Sequence, residues 1–166
     1  MVFDGSAVSN DDERYMREAL LEAEQAALAG EVPVGAVVVR DGEIISKAHN
    51  LVETSRSSSA HAEMLAIEQA ERTLGAKWLT GCTVYVTLEP CSMCAGAMVL
   101  ARIDRLVIGA MDPKAGACGS VNNIAQNESL NHRIDITAGV LKEECSLQLR
   151  EFFRSRRNEH NRQRRI

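Results

Sequence analysis

The sequence predicts an α/β layered domain whose sheet is at least partly parallel and covered on both faces. Two observations carry this. Apolar strand-like runs alternate along the chain with segments of helical periodicity, and Asp41-Gly42 divides one Val- and Ile-rich stretch into a hairpin. A length of 166 residues suffices for one domain with a sizeable core and is too short for two ordinary ones. We therefore expect a single domain over 1–166, closing in a basic helix and tail from about 141 to 166.

The elements follow in order. Ser9 or Asn10 can cap a first helix, with Asp11, Asp12 and Glu13 in its first turn and Met16, Leu20, Ala23 and Ala27 at helical spacing. Gly30 ends it. "VPVGAVVVRDGEIISKAHN" supplies the two hairpin strands, and the polar "LVETSRSSSA" (51–60) reads as a loop. "HAEMLAIEQAERTLG" is a helix closed by Gly75, "CTVYVTLEP" a strand, "CSMCAGAMVLAR" a short helix and "RLVIGA" a strand. A long segment without clear period then runs from Met111 to Arg133, and such loops in compact domains are usually functional or disordered. "IDITAG" gives the last strand, and a final helix sets Leu141, Cys145, Leu149, Phe152 and Phe153 on one face.

Composition removes several function classes. No apolar run approaches the length needed to cross a bilayer, so no membrane role is expected. The first residues carry neither the positive region nor the apolar core of a secretory signal, which gives the expectation of a cytoplasmic protein. Five cysteines then read as thiols or metal ligands rather than a disulfide framework. The net charge of −4 is unevenly spread: seven arginines against two glutamates leave residues 150–166 at +5, on an acidic body at −9. A polyanionic partner at one end fits this distribution, and so does a solvated, frayed tail.

Cys91-x-x-Cys94 follows Pro90, which suits a first helical position and would place both thiols in a first turn, where the helix dipole stabilises thiolates. Metal binding, redox chemistry and core packing all remain open on that motif alone. His61-Ala62-Glu63 opens the preceding helix and adds a nitrogen ligand and a carboxylate. In a doubly covered α/β sheet two successive helix starts can face one crevice. His61, Cys91 and Cys94 form a soft N/S set suited to zinc, and three ligands leave the fourth position to water, as catalytic sites do. A closed structural site completed by Cys118, His132 or His49 is the competing arrangement. Glu63 points away from His61 on the helix yet can reach a water at the metal, as general base and then general acid; its plainer role is a charge complementing the helix start.

These residues resemble a known family. "HAE" followed by "PCSMC" matches the H-x-E…P-C-x-x-C signature of the zinc-dependent cytidine and adenosine deaminases. Along most of the chain, in "EVPVGAVVV", "HAEMLAI", "TLEPCSMCAGAM", "GAMDPKAGACGS", "LNHR" and "EFFRSRR", the sequence is similar to the bacterial tRNA adenosine deaminases. The resemblance implies a three-layer α/β/α fold with a five-stranded mixed sheet, one Zn2+ per subunit and a homodimer. It implies hydrolysis of adenosine to inosine at the wobble position of an arginine tRNA, on the anticodon stem-loop.

By the same resemblance Asn50 hydrogen-bonds a flipped base, and Asp112, Lys114 and Asn131 contact flanking nucleotides. Phe153, Arg154, Arg156 and Arg157 lie beside the anticodon loop. The residues allow plainer roles: Asn50 can cap a strand end, Asp112-Pro113 can form a turn, and Phe152 and Phe153 can be core. Cys118 stands where the family pattern leads us to expect a small aliphatic residue, and the tail beyond Arg157 is expected to fray. Two other functions compete: a free-base or nucleoside deaminase of guanine or cytidine type, and a non-catalytic zinc-stabilised RNA-binding module.

Overall fold

The computed structural model describes residues 8–165; the first residues read above for a secretory signal, and Ile166, lie outside that range. Helix α1 spans Asn10–Leu28. Ser9 caps it, accepting the Asp12 N–H at 3.1 Å while Asp12 accepts the Ser9 N–H at 3.2 Å, a reciprocal capping box. Gly30, at φ 79°, ends it in a Schellman motif in which the Glu31 N–H reaches the Ala26 carbonyl at 2.9 Å. That turn delivers Glu31 into the interior.

Strands β1 (Gly35–Arg40) and β2 (Glu43–His49) form the hairpin around Asp41 and Gly42, both with positive φ, as a two-residue type I′ loop requires. Gly35 is obligatory for a different reason: a Cβ there would overlap the Ala19 carbonyl of α1. The 51–60 segment departs from the loop expectation, because Val52–Ser55 forms a single helical turn, α2. Leu51, at its start, offers no side-chain cap; the Asn50 side chain accepts the Val52 N–H at 3.2 Å, and the Glu31 carboxylate accepts the N–H groups of Glu53 and Thr54 at 3.0 and 2.7 Å. A cap donated from more than twenty residues away is invisible to local propensity.

The chain continues through α3 (Ala62–Leu74), β3 (Cys82–Leu88), α4 (Ser92–Leu100), β4 (Arg105–Ala110), β5 (Asp135–Ala138) and α5 (Lys142–Gln163). The sheet order is β2-β1-β3-β4-β5, with β1 antiparallel to β2 and β3 and the β3-β4-β5 half parallel. Alternating residues of the strands feed two cores. Ala36, Val38, Val84, Val86, Leu106 and Ile108 pack under α3 and α4, while Val37, Val39, Tyr85 and Val107 pack under α1 and the start of α5. The result is three layers, α/β/α.

Asp12 does more than complement the dipole of α1. It is buried, accepts the Tyr85 hydroxyl at 2.9 Å and takes both terminal nitrogens of Arg105 at 2.8 Å. Of the apolar face expected on α5, Cys145 is buried and Phe152 partly so, but Phe153 is 45% exposed, so it is not a core residue. The helix also runs past Arg157 to Gln163, where fraying was expected; Arg, Gln and Glu lose little rotamer freedom in a helix.

Candidate active site

His61 and Cys91 occupy the N-cap positions of α3 and α4, both with extended backbone, φ −73° and −75°. The helix thus begins one residue later than Pro90 suggests: Pro90 precedes the cap, Cys91 is the cap and Cys94 lies in the first turn. The two side chains turn toward each other, and His61 Nδ1 lies 3.6 Å from Cys91 Sγ and 3.5 Å from Cys94 Sγ. The three donor atoms lie within 4.8 Å of one another and form the group among the described residues that could hold a metal ion.

The candidates for a closing fourth ligand are engaged elsewhere. His132 Nε2 meets the Ile103 carbonyl at 2.6 Å, and His49 Nδ1 meets Glu22 at 2.8 Å. Cys118 is buried in the core under α3 and α4, which suits the unusual residue at that place in the loop. Burial pushes the Cys118 thiol up, and the nearby Glu89 and Glu63 carboxylates push it further.

The site's thiols and carboxyl are tuned by contact. A hydrogen bond from Cys94 holds the Cys91 thiol down at about 5, against its own burial, with His61 assisting. This favours the thiolate form of Cys91, the form that binds a soft cation. Its partner Cys94 is raised, by donating that bond and by burial. Glu63 is fully enclosed at 4% exposure. Burial lifts its carboxyl above the ordinary range, more than the α3 N–H, Cys94 and His61 draw it down.

His61, Cys91 and Glu63 line a cavity of about 320 Å³ with apolar walls from Val32, Val34, Ala62 and Leu88. Asn50 stands on one wall and Asp112 on another. The Asn50 amide is held by the Val32 carbonyl at 3.3 Å and the Val52 N–H at 3.2 Å, so it also links the strand end to α2. Asp112 accepts the N–H groups of Lys114 and Ala115 at 3.0 and 3.2 Å, the turn that Asp-Pro suggested, and still lines the cavity. Lys114 and Asn131 are exposed loop residues outside the lining.

The four α5 residues do not line this cavity, and α5 packs on the sheet face opposite α3 and α4. Phe152 and Phe153 meet edge to face at 5.4 Å. Arg154, Arg156 and Arg157 are all exposed, and Arg156 alone of the three lies over the Phe152 ring, at 5.2 Å, and donates to the Gly30 carbonyl.

Two buried carboxylates at the cavity escaped the sequence reading. Glu31 and Glu89 are buried, at 1% and 3% exposure, and both line the cavity. Backbone N–H groups of Thr54 and Glu53 bring Glu31 below its usual carboxylate value despite burial, which alone would raise it. Glu89 accepts the N–H groups of Asp112, Cys118 and Ser120 at 2.9, 3.0 and 3.0 Å and the Ser120 hydroxyl. The available signal was a lone acid between an apolar segment and a proline-containing one, in "GEVPV" and "TLEPC".

Comparison with known proteins fixes the class. Over residues 10–157 the chain matches the family of MafB19-like deaminases, which makes it a deaminase by family. It is 55% identical over 146 residues to the tRNA-specific adenosine deaminase of Bacillus subtilis (strain 168), covering 88% of this chain and 91% of that one. It is 52% identical to the tRNA-specific adenosine deaminase of Aquifex aeolicus (strain VF5), covering 88% and 96%. A solved structure from work on A-to-I editing by tRNA:A34 deaminases superposes with a TM-score of 0.79 at 41% identity, covering 82% of this chain and 99% of that one. A guanine deaminase from Nitrosomonas europaea superposes at 0.74 with 26% identity, covering 88% and 85%. The chain belongs to the tRNA-specific adenosine deaminase family.

Proposed function

We propose that the protein is a zinc-dependent hydrolase, acting in the cytoplasm, that converts adenosine to inosine at the wobble position of tRNA, the anticodon loop of an arginine tRNA being its substrate. The observation that carries this is the His61–Cys91–Cys94 group beside buried Glu63 at the foot of the cavity. Zn–N and Zn–S bonds of about 2.0 and 2.3 Å at a tetrahedral angle separate an N/S ligand pair by about 3.5 Å. The two N···S spans of 3.5 and 3.6 Å fit that ion. When bound, zinc leaves one position to water and lowers the pKa of that water to about 7.

The remaining chemistry belongs to the chain. Glu63 takes one proton from the attacking water and delivers it to purine N1 as the oxygen adds at C6; it then carries the proton of the new C6 hydroxyl to the exocyclic amine, so that the C6–N bond breaks, ammonia leaves and C6 becomes the carbonyl of inosine. The apolar walls exclude bulk water and accept one flat base, and Asn50 reads its edge. Asp112, Lys114 and Asn131 contact neighbouring nucleotides. Phe153, Arg154, Arg156 and Arg157 engage the anticodon stem-loop, since single-stranded loops splay their bases and basic helices neutralise phosphate. The active unit is a homodimer.

The test offers zinc-loaded protein an anticodon stem-loop with adenosine at the wobble position, alongside free guanine, cytidine and adenosine. Inosine in the stem-loop alone, identified by mass, is expected. Turnover of a free base or nucleoside alone would transfer the same site to the free-base reading, and no turnover would leave an RNA-binding module.

A further inference from the structure

We propose that Glu89 is a positioning residue that templates the 112–120 segment and thereby sets the cavity wall against which the substrate is held; this rests on the deaminase reading above. The argument begins with satisfaction of polar groups. A carboxylate at 3% exposure requires several donors, and Glu89 has four. Asp112 N–H is 2.9 Å away and the N–H groups of Cys118 and Ser120 are each 3.0 Å away, with the Ser120 hydroxyl as the fourth. All four come from one segment of the long loop. The bonded atoms enclose the carboxylate, and Gly116 closes the ring, since a Cβ at that position would overlap the carboxylate itself.

The attachment point matters as much as the anchor. Glu89 is two residues before Cys91, its own N–H is held by the Ala110 carbonyl at 2.8 Å, and the Pro90 carbonyl accepts the Ala117 N–H at 2.8 Å. The loop is thus stitched to the short segment that carries a metal-ligand candidate. Asp112 and Ala115 project from it into the cavity lining. Moving the anchor moves that wall while leaving His61, Cys94 and Glu63 on helices that Glu89 does not bond. The consequence is a defect in substrate capture rather than in the chemical step.

Glu89→Gln replaces an acceptor with a donor facing N–H groups, and Ser120→Ala removes one bond of the four. In the zinc-loaded protein Glu89→Gln should raise KM for the stem-loop by about tenfold, the equivalent of about 1.4 kcal/mol. The kcat and the zinc content should stay within about twofold of the parent. Ser120→Ala should shift KM the same way by less. In the free protein, amide exchange at Asp112, Cys118 and Ser120 should accelerate in both variants. Unchanged KM with unchanged amide protection would overturn the proposal, as would a loss of kcat that tracks loss of zinc at constant KM. If Glu89→Gln does not fold, Ser120→Ala decides on the same readouts. A parent protein that forms no inosine would refute the proposed function, and amide exchange alone would then decide whether Glu89 anchors the loop.

Discussion

His61 Nδ1 stands 3.5 Å from Cys94 Sγ across a gap of thirty-three residues in sequence, because two helix starts at one edge of the sheet present their N-cap and first-turn side chains to a common point. In metal-free protein Cys91 is the half-buried cysteine while Cys82, Cys94, Cys118 and Cys145 are buried, and the hydrogen bond from Cys94 holds its thiol well below the ordinary value. Alkylation at pH 7 should therefore modify Cys91 first, and prior addition of zinc should suppress it, read by peptide mass mapping. Cys91→Ser and Cys94→Ser should each weaken zinc binding by at least about tenfold.

Asn50 ties β2 to α2 through its side-chain bonds to the Val32 carbonyl and Val52 N–H while lining the cavity. Asn50→Ala should lower kcat/KM on the stem-loop by about tenfold or more, while a thermal melt shifts by only a few degrees. Equal turnover by the variant would place Asn50 outside substrate recognition.

The exposed arginines of α5 give a salt-dependent expectation. Arg154→Ala and Arg157→Ala should weaken stem-loop binding whatever its sequence, each reducing the slope of log affinity against log salt by about 0.7 to 1. Arg156→Ala differs, since that side chain is bound to Gly30 and stacked on Phe152; it should also lower the melting temperature. Binding titrations at several salt concentrations separate the three.

The Asp12–Arg105 pair governs acid stability. Burial raises the Asp12 carboxyl, but Arg105, Ser9 and Tyr85 outweigh it and bring the value below the ordinary 3.8. A carboxyl depressed in the folded state stabilises the protein above its unfolded pKa, and that contribution fades as pH falls below about 4 toward the folded value. Arg105→Ala should cost about 3 kcal/mol near neutrality, leaving Asp12 buried without its cation, and should flatten the acid limb of a stability-versus-pH curve. An unchanged acid limb would contradict this assignment.

Much of the fold was legible because its signals are local. Ser9 with Asp12, Gly30, Asp41-Gly42 and Gly75 each mark a boundary that the backbone respects. The donor set was legible for the same reason: His61 and Glu63 share one helix start, as Cys91 and Cys94 share another. What escaped was long-range satisfaction of buried charge. Glu31 capping α2, Glu89 enclosed by Asp112 to Ser120, and Asp12 clasped by Arg105 all depend on partners 22 to 93 residues away, and no local pattern encodes such pairings. The same limit explains why 51–60 read as loop alone.

The most direct measurement takes Glu63→Gln, a change that keeps shape and removes the proton shuttle, and determines zinc per chain, stem-loop affinity and inosine formation together. One zinc per chain, affinity within about threefold of the parent and turnover lowered by at least about a hundredfold are expected. Turnover near the parent value, with zinc and RNA bound, would contradict the account of Glu63 as the group that moves the proton.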